Sequence, residues 1–448
     1  MLPITDDDKR STIGFLATDA GKALLVATKK LPADRLTRIS RLRRTVSPTV
    51  ANAAVELLEL RHRARRKFAR ADEMFFTPEG LEQSTGEAIA AYRATRFPAG
   101  QPIFDACCGI GGDAIALSER GRVFAVDSNT ETAACARANA NLPYAAANPP
   151  DNPTLHPLDI VCADVLSLDL KRLTQSGIRS AFFDPSRRGD SREGRRRLRA
   201  AEDYSPPLSW LEKLKDYFPT VGVKVSPAID DETLLRTGGL VEFISDQGEC
   251  KEAAVWFGAP ADHYQELKAS SPGSSGDSEY IATVLNKGSS PQTLVPFDVD
   301  APMLSEPQAW FYEPDPAVIR AHLIPQFASL VGASQIDSRI AYLTSDTYCE
   351  TPFGTAYETL DWMPFNLKAI QKWLRANQRR VTVVKRRGVP LEPDEIRSRL
   401  ASDSIANCPP VTLILTHRAD RPIAIFCEPP AVGEQTTKQM TDASSSPL

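Results

Sequence analysis

The sequence lacks any long apolar run and any paired-cysteine motif. Because no stretch of about 18 apolar residues occurs, neither a membrane-spanning helix nor a membrane partner is expected. The opening residues, MLPITDDDKR, are acidic where a secretory signal needs a basic start, so a cytoplasmic location is expected. Eight cysteines in 448 residues do not make a disulfide framework. CxxC and HExxH patterns are also missing, so no metal site is expected.

The composition, with 42% hydrophobic and 25% charged residues, is typical of a globular protein with a sizeable core. A chain of this length predicts two or three domains. The net charge of −4 conceals two basic segments. Residues 28–70 hold 13 Lys or Arg against 3 acids, and residues 187–199 hold 7 Arg against 2 acids. Clustered arginine predicts a nucleic-acid partner, although a solvated helix face is the alternative for each segment.

The spacing of apolar residues divides the chain into four regions. Residues 1–75 repeat them three or four apart, which predicts a helical N-terminal domain with a basic face. Residues 76–290 alternate strand-like and helical runs, which predicts an α/β domain with a mostly parallel, doubly wound sheet. Residues 295–430 predict a small α/β domain, and the polar residues 431–448 predict a disordered tail.

Buried strands are predicted from short apolar runs that end near Gly, Asp or Pro. In the middle region these are PIFDACCG, RVFAVDS, LDIVCADV, SAFFDPS, TVGVKVSP and GLVEFISD, with a late and possibly antiparallel KEAAVWFG. In the C-terminal region they are RIAYLTSD, AYETLDWMPF, RRVTVVKRRG, TLILTHRA and PIAIFCE, with helices at NLKAIQKWLRANQ and EPDEIRSRLA. The segment 269–280 is rich in Ser and Gly and predicts a surface loop.

The first of these strands ends at Asp105 and runs directly into a glycine-rich loop. Gly109, Gly111 and Gly112 let the backbone turn tightly and approach a ligand. Asp105 would repel a pyrophosphate but would favour a cationic amino-acid group. Cys107 lies in the same loop and is interpreted as a small residue near the ligand. A purely structural strand-to-helix turn is the alternative.

The next three strands also end at acids. Asp127, with Ser128 beside it, closes the second strand, where an acid accepts hydrogen bonds from ribose hydroxyls. Asp164 closes the third, where a polar side chain can meet an adenine amino group, and Asp184 closes the fourth. The carboxyl ends of parallel strands share one edge of a sheet, so the four acids predict one ligand crevice. Each acid by itself is also compatible with a helix cap or a turn.

The segment FDACCGIGG (104–112) resembles the first motif of class I methyltransferases, in particular the D-x-x-C-G-x-G-G form of the trimethylguanosine-synthase-like group. The upstream FFTPE (75–79) resembles the F-x-T-P-E segment of that group. This resemblance implies a Rossmann-like sheet, S-adenosyl-L-methionine as the cofactor, and a place beside it for Phe76, Thr77 and Pro78.

Residues 70–430 as a whole resemble the bacterial class I methyltransferases that carry a C-terminal THUMP-like domain. The matching blocks occur in order: DPSRR (184–188), YSPPL (204–208), GVKVSP (222–227), RIAYLT (339–344) and VKRRG (384–388). The resemblance implies methyltransferase activity and a THUMP-like C-terminal domain. It does not settle the substrate.

In amine-methylating relatives the fourth strand ends D/N-P-P-[FYW], where the acid and a backbone carbonyl hold the amine and the aromatic ring stacks on the base. Asp184 and Pro185 keep the first half of this arrangement, and Ser186 and Arg187 replace the second. An arginine plane can stack on a base or pair with a phosphate. A structural arginine–carboxylate pair is the alternative.

Two arginine-rich stretches are the predicted contacts to RNA phosphates. The first follows the fourth strand and the second flanks a C-terminal strand, and together they supply Arg188, Arg192, Arg195, Arg196, Lys385, Arg386 and Arg387. For the C-terminal group, a charged edge that discourages sheet aggregation is the alternative.

The leading hypothesis is therefore an S-adenosylmethionine-dependent methyltransferase that acts on a base amine of tRNA or rRNA. A methyltransferase for a protein or a small metabolite is the first alternative. The second is a catalytically silent RNA-binding protein that keeps the methyltransferase fold, which the unusual DPSRR block would explain.

Overall fold

The computed structural model describes residues 11–142, 156–187, 204–262, 264, 280–390, 392–401 and 406–430. The chain forms two compact units: unit 1 contains residues up to 298 together with 316–323, and unit 2 contains 299–315 and the residues from 324 onward. The tail 431–448, predicted to be disordered, lies outside the described residues. None of the described helices is both long enough and apolar enough to cross a membrane.

The described part of unit 1 begins, at residue 11, with four helices, in agreement with the periodicity of the sequence. They are α1 (Thr12–Ala17), α2 (Asp19–Lys29), α3 (Arg35–Leu42) and α4 (Pro48–Ala64). Each starts after a polar residue whose side chain accepts a hydrogen bond from the backbone N–H three positions later: Ser11, Thr18, Asp34 and Ser47. Such caps satisfy N–H groups that have no partner inside a helix and so fix where each helix begins.

The rest of unit 1 alternates strands with helices. The helices are α5 (Pro78–Gln83), α6 (Glu87–Ala94), α7 (Gly112–Leu117), α8 (Thr130–Ala140), α9 (Leu170–Gln175), α10 (Trp210–Tyr217), α11 (Asp231–Arg236) and α12 (Pro316–Arg320), with a 3-10 turn at Val165–Ser167. The strands are β1 (Ile103–Ala106), β2 (Val123–Asp127), β3 (Leu158–Cys162), β4 (Ser180–Phe183), β5 (Ser186–Arg187), β6 (Tyr204–Ser205), β7 (Thr220–Val225), β8 (Leu240–Asp246), β9 (Glu249–Phe257), β10 (Tyr280–Leu285) and β11 (Gln292–Leu294).

Nine of these strands form one sheet in the order β11-β10-β8-β9-β7-β4-β1-β2-β3. β1 pairs in parallel with β2 and β4, while β3 pairs in parallel with β2 and β7 with β4. The strand order therefore reverses between β1 and β4, which is the point where doubly wound sheets bind ligands. The predicted α/β, Rossmann-like doubly wound fold is confirmed.

The far half of this sheet departs from parallel pairing. β9, predicted as a late strand, runs antiparallel to both β7 and β8. β10 and β11 extend the sheet further and were not predicted as strands, because they follow the Ser/Gly-rich segment that indicates a loop. Residues 269–279 of that segment lie outside the described residues.

The N-terminal helices share one hydrophobic cluster with the glycine loop and with α8. It joins Leu16 and Val55 of the helices to Phe75, to Ile110 of the glycine loop and to Cys135 of α8. In addition, the Glu131 carboxylate accepts hydrogen bonds from the Ser11 hydroxyl and from the N–H groups of Thr12 and Ile13 at the start of α1. The helical region predicted as 1–75 is thus packed into the same unit as the cofactor loop.

Unit 2 contains a second sheet, in the order β13-β14-β12-β15-β18-β17-β16. Its strands are β12 (Trp310–Pro314), β13 (Ser334–Asp337), β14 (Ile340–Ser345), β15 (Gly354–Pro364), β16 (Arg380–Arg386), β17 (Pro410–Arg418) and β18 (Arg421–Cys427). Its helices are α13 (Ile324–Val331), α14 (Leu367–Ala376) and α15 (Pro393–Leu400). The strands and helices predicted for residues 339–427 match these elements.

Candidate active site

The glycine loop between β1 and α7 adopts left-handed backbone angles at three positions. Cys107, Gly109 and Gly111 have φ angles of 70°, 56° and 84°. A Cβ on Gly111 would also lie 3.2 Å from Cα of Ala136 in α8. Because left-handed angles strain residues that have a Cβ, glycine at 109 and 111 permits the tight turn, and glycine at 111 also permits the close packing on α8.

Asp105, near the end of β1, is fully buried, and neither of its carboxylate oxygens has a hydrogen-bond partner among the described residues. Burial raises the pKa of Asp105 well above its usual value, and the nearby acids Asp113 and Asp184 raise it further. A buried carboxylate without a partner is costly in free energy. Its position therefore suits a cationic ligand group that would pair with it, as the sequence predicts.

Asp127, the last residue of β2, lies at the same edge of the sheet as Asp105. One carboxylate oxygen accepts the N–H of Gly109 at 3.0 Å and the other accepts the N–H of Asn129 at 2.9 Å. Burial raises the pKa of Asp127, and these two hydrogen bonds oppose that shift. Asp127 thus fixes the glycine loop to β2, and each of its oxygens keeps further acceptor capacity for a ribose hydroxyl.

Ser128 and Asp164 are exposed at this edge. The Asp164 carboxylate accepts the N–H of Leu166 at 2.9 Å and caps the 3-10 turn that follows β3. Asp164 therefore caps a turn, which is the structural alternative for this acid. A contact of Asp164 with adenine and a contact of Ser128 with the cofactor stay predictions.

The segment Phe76-Thr77-Pro78 lies against the glycine loop. Thr77 caps α5, with Pro78 in its first turn, and a Cβ on Gly80 would lie only 2.5 Å from the Ile110 side chain. Phe76 is fully buried, with its ring centroid 5.7 Å from that of Phe68. The Phe76 side chain is therefore part of the core, and the polar atoms of this segment belong to Thr77 and the backbone.

Asn139 of α8 joins this segment to the glycine loop. Its side-chain oxygen accepts the N–H of Phe75 at 2.7 Å, and its amide donates to the carbonyls of Phe75 and Ile110 at 3.0 and 2.9 Å. Asn139 is fully buried. It is a positioning residue that the sequence analysis missed, since its partners are 29 and 64 positions away along the chain.

Asp184 follows β4 at the switch point of the sheet, and its N–H donates to the carbonyl of Ala106 at 3.2 Å. Lys224 of β7 donates from Nζ to Asp184 Oδ2 at 2.7 Å and to the backbone carbonyl of Gln83 at 3.3 Å. The Asp184 side chain is 24% exposed, so it is accessible from the crevice. Pro185, the next residue, is buried.

The electrostatics of this pair depend on its neighbours. Burial raises the pKa of Asp184, while Lys224 opposes the shift. Burial alone would lower the pKa of Lys224, but the carboxylates of Asp184, Asp113 and Glu252 outweigh it and the pKa is raised. Lys224 therefore stays charged and favours the ionised form of Asp184 against the effect of burial. Lys224 lies in the GVKVSP block, where one lysine in an apolar strand was the available signal.

A buried arginine organises the acids behind the loop. Arg93 of α6 forms ion pairs with Asp113 of α7 and Glu252 of β9, donates to the Thr85 hydroxyl at 3.1 Å, and lies 4.5 Å over the Phe182 ring. Burial would lower the pKa of Arg93, but the two carboxylates raise it. Arg93 could not be recognised from the sequence, because a lone arginine in a helical stretch indicates a solvent-exposed position.

The residues after Pro185 start a short antiparallel pair. Ser186 and Arg187 of β5 pair with Ser205 and Tyr204 of β6, and the Ser186 hydroxyl donates to the Ser205 carbonyl at 3.0 Å. Ser186 is exposed. The Arg187 side chain lies outside the described part of the chain, as do the predicted phosphate contacts Arg188, Arg192, Arg195 and Arg196. Their roles stay predictions.

The C-terminal basic group is engaged inside unit 2. Lys385 forms an ion pair with Glu313, Arg386 pairs with Glu392 at 2.9 Å, and the Arg387 guanidinium lies 4.8 Å over the Tyr342 ring. These contacts compete with phosphates for the same donors. The RNA contact predicted for Lys385, Arg386 and Arg387 stays a prediction, and the geometry favours a structural role.

Comparison with known proteins bears on the class of the protein. Residues 354–429 match the family described as THUMP domain-like, and residues 8–64 match a domain of unknown function (DUF8688). The chain is 31% identical over 355 residues to a protein described as an uncharacterized S-adenosylmethionine-dependent methyltransferase of Mycobacterium tuberculosis strain H37Rv. That match covers 77% of this chain and 88% of the relative, and the protein of strain CDC 1551 gives the same figures.

A similar fold occurs in a crystal structure. The "putative methyltransferase" of Porphyromonas gingivalis W83 superposes with a TM-score of 0.70 at 21% identity, over 92% of this chain and 98% of that one. This likeness concerns the fold. From the sequence relationship, the chain belongs to the S-adenosylmethionine-dependent methyltransferases. The predicted cofactor, activity and THUMP-like C-terminal domain are confirmed.

The residues at the site fit this cofactor. S-adenosylmethionine carries an ammonium group and a sulfonium, and the charged neighbours of Asp105 include three acids, Asp113, Asp127 and Asp184, against the cation Arg93. A surplus of negative charge favours such a ligand. Asp105 would hold the amino-acid part of the cofactor and Asp127 would hold its ribose. The glycines of the loop, which have no Cβ, give the cofactor room to approach the backbone.

Proposed function

We propose that this methyltransferase modifies RNA, on a base amine of tRNA or rRNA. The single observation that carries the proposal is the Asp184–Lys224 pair at the carboxyl end of β4. Lys224 occupies Asp184 Oδ2, and Oδ1 makes no hydrogen bond to any residue within the described ranges. An exocyclic amine needs an acceptor at that place, and an ionised carboxylate accepts but does not donate. The THUMP-like match further favours RNA over a small metabolite.

The chemistry required of the protein is modest. S-adenosylmethionine, when bound, supplies an electrophilic methyl group, so positioning and electrostatics dominate catalysis. Asp184 Oδ1 and the backbone carbonyl of Pro185 orient the amine, and Asp184 takes the proton that the amine releases as it is methylated. Lys224 favours the ionised form of Asp184 before transfer. Ser186 and Arg187 replace the aromatic residue of related sites, so a base would be held by other contacts.

The test is the transfer of labelled methyl groups in the presence of total bacterial RNA, followed by separation of RNA, protein and small molecules. We expect label in RNA, with a loss of about 100-fold or more for Asp184→Asn, since a positioned base contributes about 10²–10⁴ in rate. Asp394→Asn, at an exposed acid of α15, is the matched control and should transfer normally.

Three results would contradict the proposal. Label found only in protein or in small molecules would assign another substrate. Cofactor binding without any transfer would indicate a catalytically silent protein. Transfer to RNA that Asp184→Asn leaves intact would remove the role of the acid, provided that the variant binds S-adenosylhomocysteine normally.

A further inference from the structure

The N-terminal helices carry a set of exposed cations on α2, α3, α4 and the turns that follow them. This N-terminal basic surface consists of Lys29, Lys30, Arg41, Arg43, Arg44, Arg63 and Arg66. No side chain of the set forms an ion pair or a hydrogen bond with a residue that the structure describes. Two neighbours that do have partners, Arg35 with Glu59 and Arg65 with Asp72, mark its limits.

Six arginines of unit 2 differ in this respect. Exposed or half-exposed arginines there bind carboxylates of the same unit: Arg339, Arg379, Arg386, Arg397, Arg399 and Arg418. A paired cation has less attraction left for an external anion, whereas unpaired cations in a cluster create a positive potential over the surface. The cations of the N-terminal basic surface are therefore better able to attract an external anion than these six paired arginines.

One end of this surface is tied to the active site. Arg61, two positions before the exposed Arg63 in α4, donates to the carbonyl of Met74 at 2.8 Å, just before the Phe76-Thr77 segment. Lys67, next to Arg66, donates from Nζ to the carbonyl of Leu81 at 2.8 Å at the end of α5. The end of α4 and the turn after it, which carry Arg63 and Arg66, are thus tied through Arg61 and Lys67 to the segment 74–81, which contains most of α5.

We infer that the N-terminal basic surface docks the phosphate backbone of the RNA substrate and leads it toward Asp184, an inference that rests on the proposed function. Arginine dominates the set, and its planar guanidinium suits phosphate. α4 alone, with 17 residues, is about 25 Å long and spans several phosphates. An anionic membrane fits less well, because the apolar sides of these helices, at Leu25, Leu42 and Leu57, are buried in the core.

The test compares two triple variants in binding to fluorescently labelled bulk bacterial tRNA over a series of salt concentrations. Arg41→Gln/Arg43→Gln/Arg44→Gln removes unpaired cations. Arg236→Gln/Arg397→Gln/Arg399→Gln changes the net charge equally but removes cations that already pair with carboxylates. We expect the first variant to weaken tRNA binding about tenfold or more and to flatten the salt dependence by about two or three counterions. The second should bind within about twofold of the wild type.

Equal weakening by both variants, or none by the first, overturns the inference. So does a wild-type protein that binds vesicles of anionic phospholipid but not tRNA. Unchanged thermal unfolding and S-adenosylhomocysteine binding show that the first variant is folded. Failure of the proposed function is a separate result. If tRNA binding depends on Arg41, Arg43 and Arg44 but no methyl group is transferred to RNA, the proposed function is contradicted and the docking inference is still supported.

Discussion

Asp105 in unit 1 and Asp337 in unit 2 are both buried acids near a strand end, yet their surroundings are opposite. Asp337 accepts the N–H groups of Arg339 and Ala419, each at 3.0 Å, and the Arg339 guanidinium lies 3.3 Å away. Burial would raise the pKa of Asp337, but these donors lower it to about 2. Asp105 has no donor among the described residues, and its pKa is raised.

The difference indicates that Asp337 stabilises the fold, whereas Asp105 is placed to bind a ligand. The donors around Asp337 make its charge favourable to folding. Asp337 thereby joins the turn between β13 and β14 to the turn between β17 and β18 without any ligand. At Asp105, free energy of folding is given up to keep a buried acid where a cationic group binds, which is a common pattern at functional sites. Substitutions at and around the two acids should therefore separate stability from binding.

The largest effect is expected at Arg93, which balances the acids behind Asp105. Arg93→Met leaves Asp113 and Glu252 buried without a counter-charge, and breaking a buried pair in this way costs about 3–5 kcal/mol in free energy of unfolding. Differential scanning calorimetry should show this loss in the thermal unfolding transition that S-adenosylhomocysteine shifts to a higher temperature. Because burial raises the pKa of Glu252, the deficit should shrink at acidic pH, where that acid becomes protonated. A cost below about 1 kcal/mol would contradict a stabilising role for the two ion pairs.

Asp105→Asn comes next and acts on binding. A hydrogen bond to a charged group contributes about 1.5–3 kcal/mol, so affinity for S-adenosylhomocysteine should fall about 10- to 100-fold. Because the folded-state pKa of Asp105 is raised, the folded protein holds the extra proton, and wild-type stability without ligand falls as pH rises through that pKa. Affinity should rise over the same window, as the acid ionises. The variant should show neither trend, and its thermal stability at pH 7 should not fall below that of the wild type.

Isothermal titration calorimetry at several pH values, beside thermal unfolding without ligand, checks both expectations. Asp159→Asn, at an exposed acid of β3 that pairs with Arg122, is a suitable control for the loss of one charge. Asp105→Asn binding with unchanged affinity would remove Asp105 from the cofactor site. A loss of stability together with the loss of affinity would make Asp105 a structural residue like Asp337.

Sequence patterns were sufficient for strands β1 to β4 and β7 to β9 of the large sheet and for the acids at its edge. Strands such as β1 and β2 are short apolar runs that stop at Asp105 and Asp127, and parallel pairing then places those acids together. Local order also predicts the glycine loop, because glycine at 109 and 111 is what the left-handed angles require. These features depend on neighbours a few positions away, and the sequence displays those neighbours directly.

The positioning residues could not be predicted in the same way. Arg93 meets Glu252 across 159 positions, and Lys224 meets Asp184 across 40. Such pairs depend on which strands are adjacent in the sheet, and in particular on the antiparallel insertion of β9 between β7 and β8. The same limit applies to Lys385, since no local pattern indicates that Glu313, 72 positions away, already neutralises it.

At Asp337 the expected effect of substitution is on stability and not on cofactor affinity, which is the reverse of the expectation for Asp105. A pKa of about 2, against a usual value near 3.8, corresponds to about 2 kcal/mol of stability at pH 7. Because the folded-state pKa is lowered, this contribution is present above about pH 4 and disappears as the pH falls toward 2. Asp337→Asn should therefore be less stable by about that amount at pH 7, with the gap narrowing in acid. The affinity of this variant for S-adenosylhomocysteine should equal that of the wild type. A change in that affinity would contradict the distinction between Asp337 as a structural acid and Asp105 as a binding acid.

The smallest effect concerns Cys107, which follows Asp105 by two positions and carries a φ of 70°. A left-handed angle strains a residue with a Cβ by about 1–2 kcal/mol, whereas glycine loses about 0.5–1 kcal/mol through its freedom in the unfolded chain. Because the two nearly cancel, Cys107→Gly should alter stability by less than about 1 kcal/mol. Gly111→Ala should cost more, since Ala136 crowds that position as well. Cofactor titration then decides the role of the thiol: a weakened affinity at unchanged stability would place the Cys107 side chain in the pocket, and an unchanged affinity would leave its backbone angle as its contribution.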